Sequence, residues 1–145
     1  MGVRKPFDKD LYEKYDEAAK EAAKDALRKK GYAVFDNPDK YAQDLIAEKD
    51  GKQFLVETEV KILRNWDGMN FPYDTVQLPE RKKKFFKKRT LFFIWNKELS
   101  HAVTFWSDDV KDIEPVEVPN KYRYKGEMFF QIPIGEGHPA TIIKR

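Results

Sequence analysis

Apolar residues recur at three- and four-residue steps from Leu11 through Tyr15, Ala18 and Ala22 to Ala26, with Lys, Asp and Glu filling the positions between. That period predicts an amphipathic helix over 8–30. Asp8 suits its start, Arg28, Lys29 and Lys30 suit its negative end, and Gly31 stops it. A stripe made largely of alanine allows close packing on a sheet. The period then changes. YAVF, 32–35, reads as a short strand closed by the turn formers Asp36, Asn37, Pro38 and Asp39. Residues 43–49 and 52–62 read as two strands around Asp50-Gly51, a strong two-residue hairpin signal. The segment 63–78 reads as an ordered connection. PERKKKFFKKR, 79–89, reads as a short helix with Pro79 at or near its first position. LFFIW, 91–95, is β-prone, and HAVTFW, 101–106, returns as its hairpin partner across 96–100. Val116–Val118, Tyr122–Tyr124 and Met128–Ile134 predict further strands or an extended flap.

The element order is α-β-β-β-α-β followed by extra strands. It implies an α/β (α+β) domain with a central mixed sheet. The 145 residues fit one such domain, with a core over about 8–95 and a β extension over about 100–145. No internal repeat or low-complexity linker divides it.

Composition narrows the class. Hydrophobic residues make up 41%, enough for a buried core, and 28 Lys+Arg against 25 Asp+Glu leave a net charge of only +3. That balance does not by itself argue for a polyanionic partner, so the distribution of charge has to. With no cysteine, disulfide scaffolds and thiolate zinc sites are excluded. No apolar run approaches the ~20 residues that span a bilayer, and the polar N-terminus lacks a signal-peptide core. The expectation is a soluble cytoplasmic protein with no membrane partner.

One stretch departs from an ordinary half-buried strand. In FLVETEVK, 54–61, Phe54, Val56 and Val60 (with Ile62) share one face, and Glu57, Glu59 and Lys61 share the other. A two-residue Asp50-Gly51 turn pairs Lys49 with Lys52, and counting back sets Asp44 opposite Glu57. Three acids and a lysine then gather on one patch of sheet. Carboxylates so close repel unless a cation sits among them, and a hard ion such as Mg²⁺ or Mn²⁺ takes oxygen ligands. Antiparallel hairpins also commonly present a plain solvated face of alternating Glu, Thr and Lys, so alternation alone does not decide.

Asp44, followed by Glu57-Thr58-Glu59-Val60-Lys61 after a charged helix and a short strand, resembles the PD-(D/E)xK nuclease superfamily. The resemblance covers roughly 10–95 and lies in element order as well as motif. It implies a restriction-endonuclease-like αβββαβ core and an acidic Mg²⁺ site, with Mn²⁺ able to substitute. It implies metal ligands from Asp44, Glu57 and Glu59, with a further acid from the first helix, for which Glu17 and Glu21 are the candidates. Two registers stay open. Either Glu59-Val60-Lys61 is the Glu-x-Lys, fifteen positions after Asp44, or Glu57 faces Asp44 and Glu59 stands where the lysine is usual.

RKKKFFKKR, 81–89, holds seven cations in nine residues. On a helical wheel Lys83, Lys84, Lys87 and Lys88 form one side, a stripe suited to a phosphate backbone. Arg81 joins them as a nucleic-acid contact. Lys82 and Arg89 fall on the side of Phe85 and Phe86, towards the sheet, where an inward lysine needs an anionic partner. Lys82 can thus reach the acidic face and assist there. Trp66, Phe71, Tyr73, Trp95 and Trp106 can stack on bases but more commonly build core, and His101 and His138 have no second ligand at a useful spacing. The functional expectation is a Mg²⁺-dependent DNA endonuclease of phage or mobile-element type, acting as a homodimer. Asp44, Glu57, Glu59, Lys61 and Lys82 form its site. The alternative is a nucleic-acid-binding protein that keeps such a fold without catalysis.

Overall fold

The first helix, α1 (Lys9–Arg28), buries Ala19, Ala22, Ala23, Ala26 and Leu27. The computed structural model that shows this describes residues 9–119 and 126–145. Of the predicted stripe, Ala22 and Ala26 face inward, but Ala18 is only half-buried and Ala19 and Ala23 take over. The helix is therefore rotated by about one residue from the predicted phase, which matters for the acid it offers the site. The Asp8 cap and the predicted strand Tyr122–Tyr124 lie outside the described residues.

Strands β1 (Ala33–Asp36), β2 (Leu45–Lys49) and β3 (Lys52–Val60) form an antiparallel meander, with Lys49 opposite Lys52 and Leu45 opposite Val56. Asp50 and Gly51 both adopt positive φ, 53° and 75°, as a two-residue hairpin turn requires. The predicted register is the observed one. Strand β4 (Thr75–Pro79) follows, then a 3₁₀ helix (Glu80–Lys87), β5 (Thr90–Trp95) and β6 (His101–Trp106). A four-residue helix, α2 (Ser107–Val110), leads to β7 (Val116–Val118), β8 (Glu127–Pro133) and β9 (Thr141–Lys144).

Six strands form the central sheet in the order β1-β2-β3-β5-β6-β9, and β4-β8-β7 form a smaller one. Only β3 and β5 run parallel; the other neighbours in both sheets are antiparallel. The fold is mixed α+β. Alternation along the central strands divides the core in two. Phe54, Val56, Phe93, Trp95 and Ala102 pack with the alanines of α1. Phe92, Ile94, Val103 and Phe105 pack against Val76 and Leu78 of β4, Phe130 and Ile132 of β8, and Phe85 of the 3₁₀ helix.

Two elements differ from expectation. The end of the 63–78 connection is β4, whose Val76 and Leu78 alternate with Thr75 and Gln77. The predicted helix over 79–89 is a 3₁₀ helix that stops at Lys87, with Pro79 outside its first turn at φ −57° and ψ 138°. Ile62 is also not on a sheet face: β3 ends at Val60 and Ile62 is 58% exposed. No helix among the described residues is long and apolar enough to cross a membrane.

Candidate active site

β3 lies inside the sheet, between β2 and β5, so neither of its faces is an ordinary hairpin surface. Its even-numbered residues face α1. Glu57 and Glu59 share the opposite face with their parallel neighbours Phe92 and Ile94, beneath the 3₁₀ helix. A carboxylate here is shielded from water on several sides. The Glu57 side chain is only 8% exposed.

Asp44 stands one residue before β2, at the position that extends the hairpin register opposite Glu57. Its Oδ2 accepts from the Thr58 backbone N–H at 3.0 Å and from Thr58 Oγ1 at 3.2 Å. These bonds fix Asp44 across the top of the strand pair, where its negative charge acts on Glu57. From above, Lys82 Nζ reaches Glu57 Oε2 at 2.6 Å, its own side chain 14% exposed. The 3₁₀ geometry explains why Lys82 points inward. Residues three apart eclipse in such a helix. Lys82 therefore shares the sheet-facing side with buried Phe85, and its ammonium lies 5.5 Å from that ring. Gln43 anchors the helix end by donating from Nε2 to the Phe85 carbonyl at 3.3 Å and to Thr90 Oγ1 at 2.9 Å.

The electrostatics follow from burial. Desolvation pushes the Glu57 carboxyl up to about 7, Asp44 adds to the rise, and the Lys82 ammonium opposes it without cancelling it. Half-buried Glu59 is raised too, chiefly by burial, against the cations Lys82, Lys61 and Arg81. Burial lowers the Lys61 ammonium below its ordinary value, and Glu59 holds it partly up. Lys61 forms no ion pair with any described carboxylate; its backbone N–H donates to the Trp95 carbonyl at 2.8 Å.

Asp16 is an acid of α1 that the sequence pattern did not single out and whose charge acts on Asp44. It is half-buried, and its carboxyl is raised first by burial and next by Asp44, with Lys82 among the charges lowering it. Glu17 and Glu21 are not brought to the cluster. Their side chains are 68% and 61% exposed and pair with Lys20 and Lys24, each at 3.1 Å. The corrected helix phase is the reason. Asp16 precedes Ala19 by three residues and Ala23 by seven, and so lies on the buried stripe. An acid in line with buried alanines was the available signal.

Lys83, Lys84, Lys87 and Lys88 are all exposed, as is Arg81. Arg89 departs from expectation. It follows the last helical residue, so the helical wheel no longer applies to it. Its side chain turns outward to Asp108 at 2.9 Å and lies over the Trp106 ring at 4.0 Å. Trp66 and Trp95 are core.

The donor set is carboxylate oxygen, which fits a hard divalent cation rather than a soft one. The convergence is narrower than the expected cluster. Asp44 and Glu57 meet, but Glu59 lies two residues along the strand, about 7 Å by Cα spacing. No three His, Asp or Glu side chains among the described residues are gathered around one point as a metal cage. Mg²⁺ is commonly held by one or two carboxylates together with waters and substrate phosphates, and Asp44 and Glu57 are the two carboxylates placed opposite one another.

No family model matches the chain, and no curated protein matches it. Among solved structures, the bacterial homing endonuclease I-Ssp6803I is similar over 78% of this chain and 82% of that chain, with a TM-score of 0.48 and 14% sequence identity.

Proposed function

We propose that the protein is a Mg²⁺-dependent endonuclease that hydrolyses DNA phosphodiester bonds at the face shared by Asp44, Glu57, Glu59 and Lys61. The observation that carries this reading is the buried Glu57 carboxylate, paired with Lys82 at 2.6 Å and standing beside Asp44, with Glu59 and Lys61 half-buried further along the strand. Solvated strand faces do not raise a carboxyl to about 7. Strongly perturbed titrating groups beside one another are a mark of catalytic sites.

In this reading Asp44 and Glu57 hold the cation, and Asp16 adds negative charge from α1. Bound Mg²⁺ supplies polarisation of the phosphate and neutralisation of the leaving oxygen. Lys61, its ammonium lowered by burial, orients the attacking water beside Glu59, and Glu59 is poised to accept its proton. Lys82 hydrogen-bonds Glu57 and sets a positive charge over the acidic face. Lys83, Lys84, Lys87 and Lys88 follow the backbone of the duplex. Cutting both strands calls for two such sites, so a homodimer belongs to the proposal. Sedimentation velocity with and without duplex tests that part.

The exposed lysine stripe also favours a second reading, a DNA-binding protein without cleavage. Supercoiled plasmid incubated with Mg²⁺, Mn²⁺ or EDTA separates the two. Metal-dependent nicking that falls by at least about a hundredfold in Asp44→Ala and Glu59→Ala supports the enzyme. Cleavage unchanged in both variants refutes the site. Salt-sensitive binding without nicking supports the second reading.

A further inference from the structure

A second concave surface lies at the end of the central sheet where β3 and β5 begin, on the side of α1. It is a groove of about 670 Å³, and Tyr32, Lys49, Lys52, Phe54, Arg89 and Trp106 line it. Three rings form its floor in one row. Tyr32 and Phe54 meet edge to face at 5.3 Å, and Phe54 and Trp106 at 4.9 Å.

Cations lie over the two outer rings of that row, and Phe54 between them is buried. Lys49 Nζ lies 5.2 Å from the Tyr32 ring and donates to the Lys30 carbonyl at 2.9 Å. The Arg89 guanidinium lies 4.0 Å from the Trp106 ring and is held by Asp108 at 2.9 Å. Lys52 is exposed on the rim, and among the described residues Asp50 is the one acid lining the groove. Arg89 and Lys88 directly follow the 3₁₀ helix, so its lysine stripe leads to the groove mouth.

An aromatic floor between positioned cations matches a flat ring carrying anionic groups on either side. Stacking on aromatic or guanidinium planes with phosphates on nearby cations is how unpaired nucleotides are held. A duplex keeps its bases stacked on one another and would engage only the rim. We propose that this groove binds one unpaired nucleotide of a single-stranded nucleic acid. The base lies against the Arg89 guanidinium, itself stacked on Trp106, and the Tyr32 ring, and the flanking phosphates reach Lys49 and Lys52. The site is separate from the acidic face and does not depend on cleavage.

The test is fluorescence anisotropy of a labelled eight-residue oligothymidylate in EDTA, against an abasic strand of equal length and charge and an eight-base-pair duplex. The oligothymidylate binds at least tenfold more tightly than the abasic strand and outcompetes the duplex. Lys52→Glu, on an exposed side chain, weakens it about tenfold and lowers its salt slope, with an unchanged thermal unfolding midpoint. Tyr32→Leu removes the preference over the abasic strand. Asp44→Asn retains the affinity, so failure of the cleavage reading and failure of this one are distinguishable. Equal binding of thymidylate and abasic strands, or Lys52→Glu binding as tightly as the parent, overturns the proposal.

Discussion

Replacing Glu57 with glutamine probes the electrostatics of the acidic face at its most buried carboxyl. In the folded chain that group titrates at about 7, against an ordinary 4.5. Between those values the folded state holds a proton that the unfolded chain has released. Stability therefore falls as pH rises through the window, and the loss is complete once pH exceeds the folded value. A displacement of this size is worth about 3 kcal/mol at ~1.36 kcal/mol per pH unit. The side chain is 8% exposed, so solvent screening takes little from that figure. In a chain of 145 residues it lowers the unfolding midpoint by roughly 10 °C.

Thermal unfolding followed by circular dichroism in EDTA, from pH 4.5 to 8.5 at constant ionic strength, reads this directly. The parent midpoint falls across the window, and Glu57→Gln flattens most of the fall. A shallower slope of the same sign remains, because Glu59 and Asp16 are also raised by burial. Asp25 and Asp36 are lowered by their cationic partners, and act below the window with the opposite sign. Above pH 7, Mg²⁺ restores part of the lost midpoint in the parent and not in Glu57→Gln, since the cation takes the place of the proton. Parallel curves for parent and variant would refute the reasoning.

Lys82→Met strips Glu57 of its 2.6 Å partner. It costs about 1 kcal/mol at pH 6, where Glu57 can take a proton, and about 3 kcal/mol at pH 8, where it cannot, as urea unfolding at the two pH values checks. Glu59→Gln and Lys61→Met flatten the pH dependence of nicking and leave Mn²⁺ affinity by calorimetry within about threefold, whereas Asp44→Asn lowers that affinity at least tenfold. Changing Lys83, Lys84, Lys87 and Lys88 together to alanine weakens duplex binding and lowers its salt slope by about 3 to 4, measured by anisotropy between 50 and 200 mM salt. Ala22→Leu forces a larger side chain between α1 and the sheet, where Ala22 has no exposed surface. The cost is about 1–3 kcal/mol in the same urea assay, with duplex binding retained in the folded fraction.

The hairpin was readable because a two-residue turn and a period of two leave no freedom. Once Asp50-Gly51 is the turn, Lys49 must meet Lys52 and Asp44 must reach the level of Glu57. The inward lysine was readable for a related reason, since a buried ammonium needs an anion and the only nearby wall of anions was β3. Helix phase was harder. Alanine stands at 18, 19, 22, 23 and 26, and a stripe drawn through 18 fits the period almost as well as one drawn through 19. A rotation of one residue then exchanges Asp16 for Glu17. β4 was hidden by Pro79, which suits a helix start as well as a strand end. Arg89 escapes the helical wheel because the helix ends at Lys87.

The two ways of reading Glu57-Thr58-Glu59-Val60-Lys61 exclude each other only if one triplet must do everything. Strand geometry puts Glu57 and Glu59 about 7 Å apart on one face, too far to share every neighbour and close enough to share one substrate. Their surroundings then divide them. Glu57 meets Asp44 and Lys82, a carboxylate pair beneath a cation. Glu59 has Lys61 as its nearest strand partner, an acid and an amine whose titrations are both displaced towards neutrality. In the proposed enzyme the first arrangement is the one that takes the cation. The second is the one proposed to handle a proton. In the proposed enzyme the strand needs both, which is reason enough for a central β-strand to line two glutamates and a lysine along one side.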